Sequence, residues 1–334
     1  MKVKTPINIE IPKVLPQHPW HPSVVYVPTG WSGHRYWMAQ TPYPPFDVKP
    51  YKDRWELPCI HYSDDGIHWE SIDVNPIDDL TEQQIVSHSY HSDPHLVMRD
   101  GVLYCYYRLM EDHDTKTTIL RKCSKDGIHW SEREIIEIVG EDGIHKIPEV
   151  ISPAIIWTGE KWLLYFVDDT FTNLQRGIQV AESEDGLHFV HKGSVWEQQQ
   201  VKPWHIDVQI IDDKYYLLVH DVDNNSLWLY TSKNGLKYEK EQKILSASHK
   251  LSDFWSHKLY RACLGEVEGK KNIYFSANDG MASYIGLTRQ NRQGEFEIID
   301  CLSGDEKAAF IIRFWWRRGV QFIQRVIHFI EKRI

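Results

Sequence analysis

The stretch HYSDDGIHWE, residues 61–70, has the pattern of a β-hairpin: an alternating run, an Asp-Gly turn and a tryptophan after it. The pattern occurs again as KCSKDGIHWSE at 122–132, AESEDGLHFVH at 181–191 and YTSKNGLKYEK at 230–240. Asp-Gly and Asn-Gly pairs favour two-residue hairpin turns because they tolerate a positive φ. The repetition therefore indicates that one hairpin unit is built several times in this chain.

The turn glycines give the period of the repeat. Gly66, Gly127, Gly186 and Gly235 are separated by 61, 59 and 49 residues. A further 59 residues lead to Gly294, in a degraded copy that keeps the turn and a trailing aromatic residue. Five copies with a period of roughly 50 to 60 residues are typical of a propeller or of another repeat architecture.

Each repeat also contains a short apolar strand followed by a strand rich in aromatic residues. The apolar strands are HPSVVYV (21–27), DPHLVMR (93–99), SPAIIWT (152–158), HIDVQII (205–211) and YRACLGE (260–266). Three or four strands per repeat with short polar turns are the composition of a propeller blade. We therefore predict an all-β, five-bladed β-propeller over residues 1–303, with blades starting near 21, 93, 152, 205 and 260. A C-terminal amphipathic α-helix is predicted for residues 304–334.

The repeated turn residues have a structural explanation. A serine two or three residues before the glycine can bond the turn backbone, and the trailing aromatic residue can pack between blades. The aspartates and histidines of the turns are therefore predicted to be structural, and the chemistry is expected elsewhere.

The innermost strands of a propeller run beside its axis, so one end of each strand converges on a single funnel. Polar and aromatic residues at those ends form the predicted site. Its predicted catalytic residues are Asp93, Glu149, Asp207 and Glu56, and its predicted substrate-binding residues are His21, His205, Arg108, Arg261, Tyr260 and Trp204.

Carboxylates in a pocket with aromatic walls are suited to glycosidic-bond chemistry. One carboxyl group must protonate the leaving oxygen, and the other must be ionised as nucleophile or base. Burial and mutual repulsion separate the pKa values of two such groups, and arginine or histidine holds the ionised one.

We predict no metal and no cofactor. His21, His205 and Asp93 could meet at the axis, but the chain has no tightly spaced metal motif such as HExxH. It also lacks Walker A and GxGxxG stretches. The five cysteines are scattered and fit reduced, buried thiols better than a zinc site.

The segments HPSVVYVPTGWSGHRYWMAQTPYP and DPHLVMRDGVLYCYYR resemble the five-bladed propeller glycosidases, the β-xylosidase/arabinanase and fructosidase/invertase groups. YWMAQTPYP and WELPCIHYSDDGIHW are also similar to bacterial and phage propeller proteins associated with surface polysaccharides. The glycosidases commonly place an Asp, an Asp and a Glu on the inner strands of successive blades. The resemblance implies Asp93 as the second-blade aspartate and Glu149 as the third-blade glutamate. His21 stands in place of the first aspartate, so Glu56 or Asp207 would supply that carboxylate.

The C-terminal segment differs sharply in charge from the rest. The whole chain has a formal charge of −9, but residues 307–334 contain seven Lys or Arg and one Glu, which leaves −15 for the remainder. A basic helix with Trp and Phe on its apolar side is typical of helices that lie in a membrane surface. The predicted membrane-binding residues are Arg313, Trp315, Trp316, Arg317, Arg318 and Arg325. The alternatives are packing on the acidic propeller and contact with another chain, including a homo-oligomer.

These features together predict a carbohydrate-active enzyme that cleaves or transfers a glycosidic bond. The acidic body argues against nucleic acid as a partner, and a glycan and an anionic membrane surface are the predicted partners. The N-terminus shows no signal peptide, which predicts a cytoplasmic protein on the inner face of the membrane. Biosynthesis or remodelling of a surface polysaccharide, capsular or lipid-linked, would fit this location. The alternative is a non-catalytic sugar-binding or scaffold propeller.

Overall fold

The computed structural model describes residues 3–43, 56–111, 116–147, 149–168, 177–196 and 200–331. Most of these residues lie in strands that form five consecutive groups, which we call blades 1 to 5. Blade 1 comprises β1 (Asn8–Ile9), β2 (His18–Trp31), β3 (His34–Tyr43), β4 (Cys59–Ser63) and β5 (His68–Ser71). Blade 2 comprises β6 (Tyr90–Arg99), β7 (Val102–Glu111), β8 (Lys116–Ser124) and β9 (Glu134–Val139). Blade 3 comprises β10 (Ile151–Trp157), β11 (Trp162–Asp168), β12 (Gly177–Ser183) and β13 (His188–Ser194).

The two remaining blades and two helices complete the described elements. Blade 4 comprises β14 (Pro203–Ile211), β15 (Lys214–Asp221), β16 (Ser226–Ser232) and β17 (Glu239–Ser246). Blade 5 comprises β18 (Lys258–Val267), β19 (Lys270–Asn278), β20 (Ser283–Gln290) and β21 (Phe296–Ile298). The helices are α1 (Glu82–Val86) and α2 (Gly304–Glu331).

Neighbouring strands of a blade pair in antiparallel fashion, and the blades close into a ring. The first long strands, β2, β6, β10, β14 and β18, lie side by side, and β18 contacts β2 again. The N-terminal segment joins blade 5 to blade 1. The Ile7 N–H donates to the Ile285 carbonyl of blade 5, and β1 then pairs in parallel with β5 of blade 1. Blades 2 and 3 are also joined at their outer edges, where β13 pairs in parallel with β9.

The repeated turns differ from the prediction in their geometry. Between β4 and β5 the connection has four residues, 64–67, and only Gly66 adopts the left-handed conformation, with φ +73°. The prediction of two-residue turns was therefore wrong. The Ser63 hydroxyl accepts from the Gly66 N–H, and Asp65 Oδ1 accepts from the N–H groups of Ile67 and His68. These side-chain acceptors fix a longer loop than the Asp-Gly pair alone indicates.

Four of the five turn glycines, all except Gly294, also contact an aromatic residue of the preceding blade. The Gly66 carbonyl accepts from the Tyr274 hydroxyl of blade 5, at 3.1 Å. Tyr106 and Tyr165 make the same bond to the glycine carbonyls of blades 3 and 4, Gly186 and Gly235. In blade 2 the partner is the ring of Trp37, which lies so close to Gly127 that a Cβ atom there would come within 2.2 Å of it. The repeated turn therefore joins neighbouring blades, and we call it the latch turn. Its aspartate and histidine lie at the surface.

The other end of the inner strands is shaped by β-bulges. The register of every inner strand shifts near its start, within the segments 20–23, 92–95, 151–154, 203–205 and 259–262. His21, Asp93 and Ser152 occupy the bulges of blades 1 to 3, each at a φ near +50° and each followed by proline. A non-glycine residue in this conformation costs about 1–3 kcal/mol. A bulge can re-aim side chains, and these residues meet at the axis.

The helix α2 packs on blade 5 through its first half. Phe310 and Phe314 are buried, and Phe310 contacts the ring of Tyr284 on β20. Arg318 Nη2 lies 3.5 Å from Asp279 Oδ2, just after β19. Within the part of the chain that the structure describes, no helix is both long and apolar enough to cross a membrane.

Candidate active site in the axial funnel

Asp93 lies at the centre of the predicted site and is fully buried. Its Oδ1 atom is 3.2 Å from His205 Nδ1, 3.3 Å from Arg261 Nη1 and 3.7 Å from His21 Nε2. Its Oδ2 atom is 3.4 Å from Arg108 Nε. Four residues predicted to bind substrate, contributed by blades 1, 2, 4 and 5, therefore surround one carboxylate.

The surroundings determine the charge of each group. Burial favours a neutral Asp93, but Arg108 and His205 hold the pKa of this carboxyl well below its usual value. Burial lowers the pKa of His205 to about 4 and that of His21 well below its usual value. At neutral pH the cluster therefore contains one ionised carboxylate, two neutral imidazoles and two guanidinium groups.

The cluster is held by a further set of contacts. His21 Nδ1 is hydrogen-bonded to the Thr41 hydroxyl at 2.7 Å, and Glu56 Oε1 lies 3.9 Å from the same nitrogen. Arg108 Nε donates to Ser92 Oγ, and Arg261 Nη2 donates to the Pro153 carbonyl. The Ser152 N–H donates to Asp93 Oδ2 at 3.3 Å. These contacts leave His21 Nε2 directed at Asp93.

Three of these residues have the geometry of a metal-ligand set. Ligand atoms about 2.1 Å from a tetrahedral divalent ion lie about 3.4 Å apart, and His21, Asp93 and His205 each offer one atom within 4.8 Å of the others. Asp93 Oδ1 contacts His205 Nδ1 and Arg261 Nη1 at 3.2 and 3.3 Å, but within the described part of the chain neither this oxygen nor either ring nitrogen of His205 makes a hydrogen bond of regular geometry. Neutral imidazoles are the form that binds a metal. The set fits a divalent cation, although the sequence predicts no metal site.

Aromatic side chains line the funnel beside this cluster. Tyr260 contacts His205 in an edge-to-face arrangement, with ring centroids 4.2 Å apart, and stacks on Trp20 at 5.1 Å. Trp204 Nε1 donates to the Tyr260 hydroxyl at 2.7 Å, and His220 stacks on His205. Flat aromatic faces next to polar groups are suited to sugar rings, which carry both apolar C–H faces and hydroxyls.

Asp207 occupies a different environment from Asp93. Its Oδ2 atom accepts from the Leu264 N–H of blade 5, and its Oδ1 atom lies 3.5 Å from His95 Nδ1 of blade 2. Burial raises the pKa of Asp207 to about 7. The His95 Nε2–H can donate to the Ile155 carbonyl, which leaves Nδ1 as an acceptor for the proton of Asp207. Asp207 thus ties blades together, and its catalytic role stays a prediction.

Glu149 lies two residues before β10 and is half-buried. The position of blade 3 that is equivalent to His21 and Asp93 is occupied by Ser152 instead, because the bulge falls on the Ser-Pro step. The catalytic role of Glu149 also stays a prediction.

Sequence reasoning missed five residues of the site: Trp20, Thr41, Ser92, Ser152 and His220. Ser152 could have been found, since it precedes a proline as His21 and Asp93 do. His220 ends the aromatic-rich strand of its blade, in a position similar to that of Arg108. Thr41 and Ser92 give no local signal, because their contacts come from the folded blades.

Comparison with known proteins supports the architecture. No family model matches the chain. The chain is 26% identical over 270 residues to the A type blood N-acetyl-α-D-galactosamine deacetylase of Flavonifractor plautii, in a match that covers 66% of this chain. It spans about a third, 34%, of the length of that relative.

Solved structures show the same fold. An N-acetylgalactosamine deacetylase from F. plautii, in complex with blood group B trisaccharide, has a TM-score of 0.68 at 19% identity, covering 86% of this chain and 94% of that one. A family 43 glycoside hydrolase from Bacillus licheniformis has a TM-score of 0.61 at 14% identity, covering 86% and 56%. The predicted resemblance to propeller glycosidases is therefore confirmed, and the chain has the mostly β propeller fold that these enzymes share.

Proposed function

We propose that the protein is a carbohydrate-active enzyme that hydrolyses an acyl group, such as the N-acetyl group, on a sugar. The observation that carries this proposal is the composition of the cluster: one ionised carboxylate shared by two neutral imidazoles, at metal-ligand spacing. Similarity to the N-acetylgalactosamine deacetylase of F. plautii supports the same reaction class.

In this proposal His21, Asp93 and His205 would hold a divalent cation. When bound, such a cation would supply a water of lowered pKa and a positive charge for the acyl oxygen. Thr41 orients His21 through its second ring nitrogen, as partners of metal ligands commonly do. Glu56, next to His21, can accept the proton of the attacking water.

Two arginines and the aromatic wall complete the reaction site. Arg108 and Arg261 remain cationic beside Asp93 and can stabilise the negative charge that develops on the acyl oxygen. Tyr260, Trp20 and Trp204 would bind the sugar ring and hold its acyl group against the cluster. The released acyl group leaves as a carboxylate after it gains the water oxygen, and the sugar amine gains a proton.

Glycosidic-bond cleavage is the second candidate, and Glu56 favours it. Glu56 and Asp93 contact opposite nitrogens of His21, so their nearest oxygens are no more than about 10 Å apart. Pairs of carboxyl groups about 5 to 9.5 Å apart act in glycosidases. In this reaction Asp93, held ionised by arginine, would be the nucleophile or base, and Glu56 would be the acid.

We further propose that the glycan is presented at a membrane, as in the biosynthesis or remodelling of a surface polysaccharide. The basic helix α2 supports this location, with the protein on the cytoplasmic side. A non-catalytic sugar-binding role remains the alternative of a different class.

The test uses the full-length protein and a panel of N-acetylated oligosaccharides, with acetate and new reducing ends measured in parallel. We expect the protein to release acetate. A chelator should abolish this activity, and added Zn²⁺ or Mn²⁺ should restore it. The Asp93→Asn variant should release no acetate. Asp126→Asn, in an exposed turn, is the matched control and should retain full activity. New reducing ends without acetate would replace the proposal with glycosidase activity, and saturable glycan binding without either product would indicate a binding protein.

A further inference from the structure

The helix α2 has one apolar face that is buried against the propeller and a second apolar face that is largely exposed. Phe310 and Phe314 are buried against blade 5, with Phe314 fully enclosed. The residues on the opposite side of the helix are exposed to solvent. They are Ile312, Trp315, Trp316, Val320, Phe322 and Ile323, which we call the outer face. At 3.6 residues per turn this outer face is centred about 180° from the buried phenylalanines.

The outer face is unusual for this molecule because its apolar residues are contiguous. Among the described residues, six of the fourteen large hydrophobic side chains that are exposed lie within residues 312–323. The other eight are scattered over the propeller, as single exposed residues such as Val14, Ile144 and Leu251. Contiguous exposed apolar surface marks an interaction site, whereas scattered residues need no explanation. Trp316 is the more exposed of the two tryptophans, with 72% of its surface accessible to solvent.

Positive charge borders the outer face. Arg313 is exposed, and Arg313 and Arg317 line a cleft of about 550 Å³ together with Ile312 and Trp316. Arg318 is held by Asp279 on the propeller side of the helix. The side chain of Arg325 lies outside the described residues. Among the described arginines, Arg313 is therefore the exposed cation beside the outer face, and Arg317 lies next to it at the cleft, on an otherwise acidic protein.

The helix runs along blade 5 toward the funnel. Near its start, Glu306 contacts His68, in the latch turn at the end of the blade away from the site. Twelve residues later Arg318 contacts Asp279, which follows β19 at the end where the funnel opens. The last 13 residues of α2, about 20 Å of helix, continue from this contact. The outer face thus lies beside the funnel end of the propeller.

We propose that the outer face of α2 is a docking surface for an anionic lipid bilayer, with the helix lying in the plane of the membrane. The bilayer would accept the tryptophans and aliphatic side chains at the depth of the headgroups, while the flanking arginines contact anionic lipid. The surface charge favours this occupant over a second copy of the chain, because two copies would bring their arginine borders together. The proposal goes beyond the reaction in the funnel and does not depend on it.

The test is co-sedimentation of the full-length protein with vesicles of phosphatidylcholine alone or of phosphatidylcholine and phosphatidylglycerol at 7:3. We expect binding to the anionic vesicles, with a partition coefficient about 10-fold higher than for the neutral ones and a decrease at high salt. The double variant Trp316→Glu, Ile323→Glu should lower binding to anionic vesicles by about 10-fold or more. The matched control Ile144→Glu, Leu251→Glu changes the net charge equally, on exposed propeller residues, and should bind about as the parent does.

Folding and self-association are measured on the same samples. Thermal unfolding of both double variants should match that of the parent protein, because the four substituted residues are exposed. Equal loss of binding in the two double variants would overturn the proposal, since net charge alone would then explain it. Absence of binding to the anionic vesicles would also overturn it. If a concentration-dependent dimer were then found that Trp316→Glu, Ile323→Glu dissociates, the outer face would be assigned to a second copy.

Discussion

The latch turns and the funnel use the same two residue types in opposite ways. In the turn of blade 3, Asp185 and His188 are exposed and hydrogen-bonded at 2.7 Å. The bond to Asp185 raises the pKa of His188. In the funnel, Asp93 and His205 are 3.2 Å apart and buried, and burial lowers the pKa of His205 to about 4. The Asp–His pair of the turn is therefore an exposed hydrogen bond, whereas the pair in the funnel is buried and has polar atoms that are free to bind a ligand.

The difference between the turns and the funnel indicates which positions of a repeated fold are structural and which are functional. The Asp–His pair recurs in three of the turns with nearly the same geometry, because it closes the same local loop in blades 1, 2 and 3. At the inner-strand bulges the residue changes from blade to blade, from His21 to Asp93 to Ser152. The same bulged backbone conformation therefore carries a different side chain in each blade, which brings a histidine, an aspartate and a serine together at the axis.

The largest contrast is expected between Asp93→Asn and Asp126→Asn. The funnel variant should lose activity by about 10³-fold or more, because the cluster loses its central charge. It should also lose about 3 kcal/mol of unfolding free energy, since Arg108 and Arg261 are left without their buried partner. Product release and urea unfolding measure the two effects. For Asp126→Asn we expect unchanged activity and a loss of at most about 1 kcal/mol; similar losses in both variants would refute the division between latch and funnel.

A second contrast concerns the latch itself. Gly127→Ala places a Cβ atom 2.2 Å from the ring of Trp37, on a backbone with φ +79°. We expect a loss of about 3 kcal/mol from the combined overpacking and backbone strain. Gly101→Ala has a similar φ, +73°, but no atom within 4 Å, so it should lose only about 1 kcal/mol. Equal values in urea unfolding would mean that the close approach between blades 1 and 2 contributes nothing.

Asp207→Asn tests the other buried carboxyl. The pKa of Asp207 is raised to about 7 in the folded protein, from 3.8, so the folded state retains a proton that the unfolded state loses. The stability of the parent should therefore fall as pH rises from about 4 to 7, by on the order of 2 kcal/mol for this group. The Asn variant should show a flatter profile over this window and gain stability relative to the parent near pH 8. If the stability of the parent and that of the Asn variant changed with pH in the same way, Asp207 would be ionised over this whole pH window.

The sequence predicts the fold better than the details of the site. Hairpin copies at a regular period are local signals, and they predict both the propeller and the register that brings Asp93 to His21 and His205. Contacts between blades have no such local signal. The contacts of Asp207 with Leu264 and His95 come from other blades, and no local pattern in the sequence indicates them. The bond from the turn backbone to the serine was predicted from the sequence, but the length of the turn was mispredicted, because Asp65 also binds the N–H groups of Ile67 and His68.

The smallest effect is expected at the surface, for His68→Gln. His68 bonds Asp65 at 2.7 Å and Glu306 of α2 at 2.9 Å, and these bonds raise its pKa. Stability from a raised histidine pKa is present below the unfolded value near 6.5 and is lost as pH rises through the folded value. The difference between parent and variant should therefore be about 0.5 kcal/mol at pH 5.5, discounted for exposure, and near zero at pH 8.5. His129→Gln retains the latch geometry but has no Glu306 partner in the parent, so its difference at pH 5.5 should be smaller. If the two variants were equal in urea unfolding at both pH values, the contact between His68 and Glu306 at the start of α2 would not contribute to stability, and the helix would be held by its other contacts, such as those of Phe310 and Phe314.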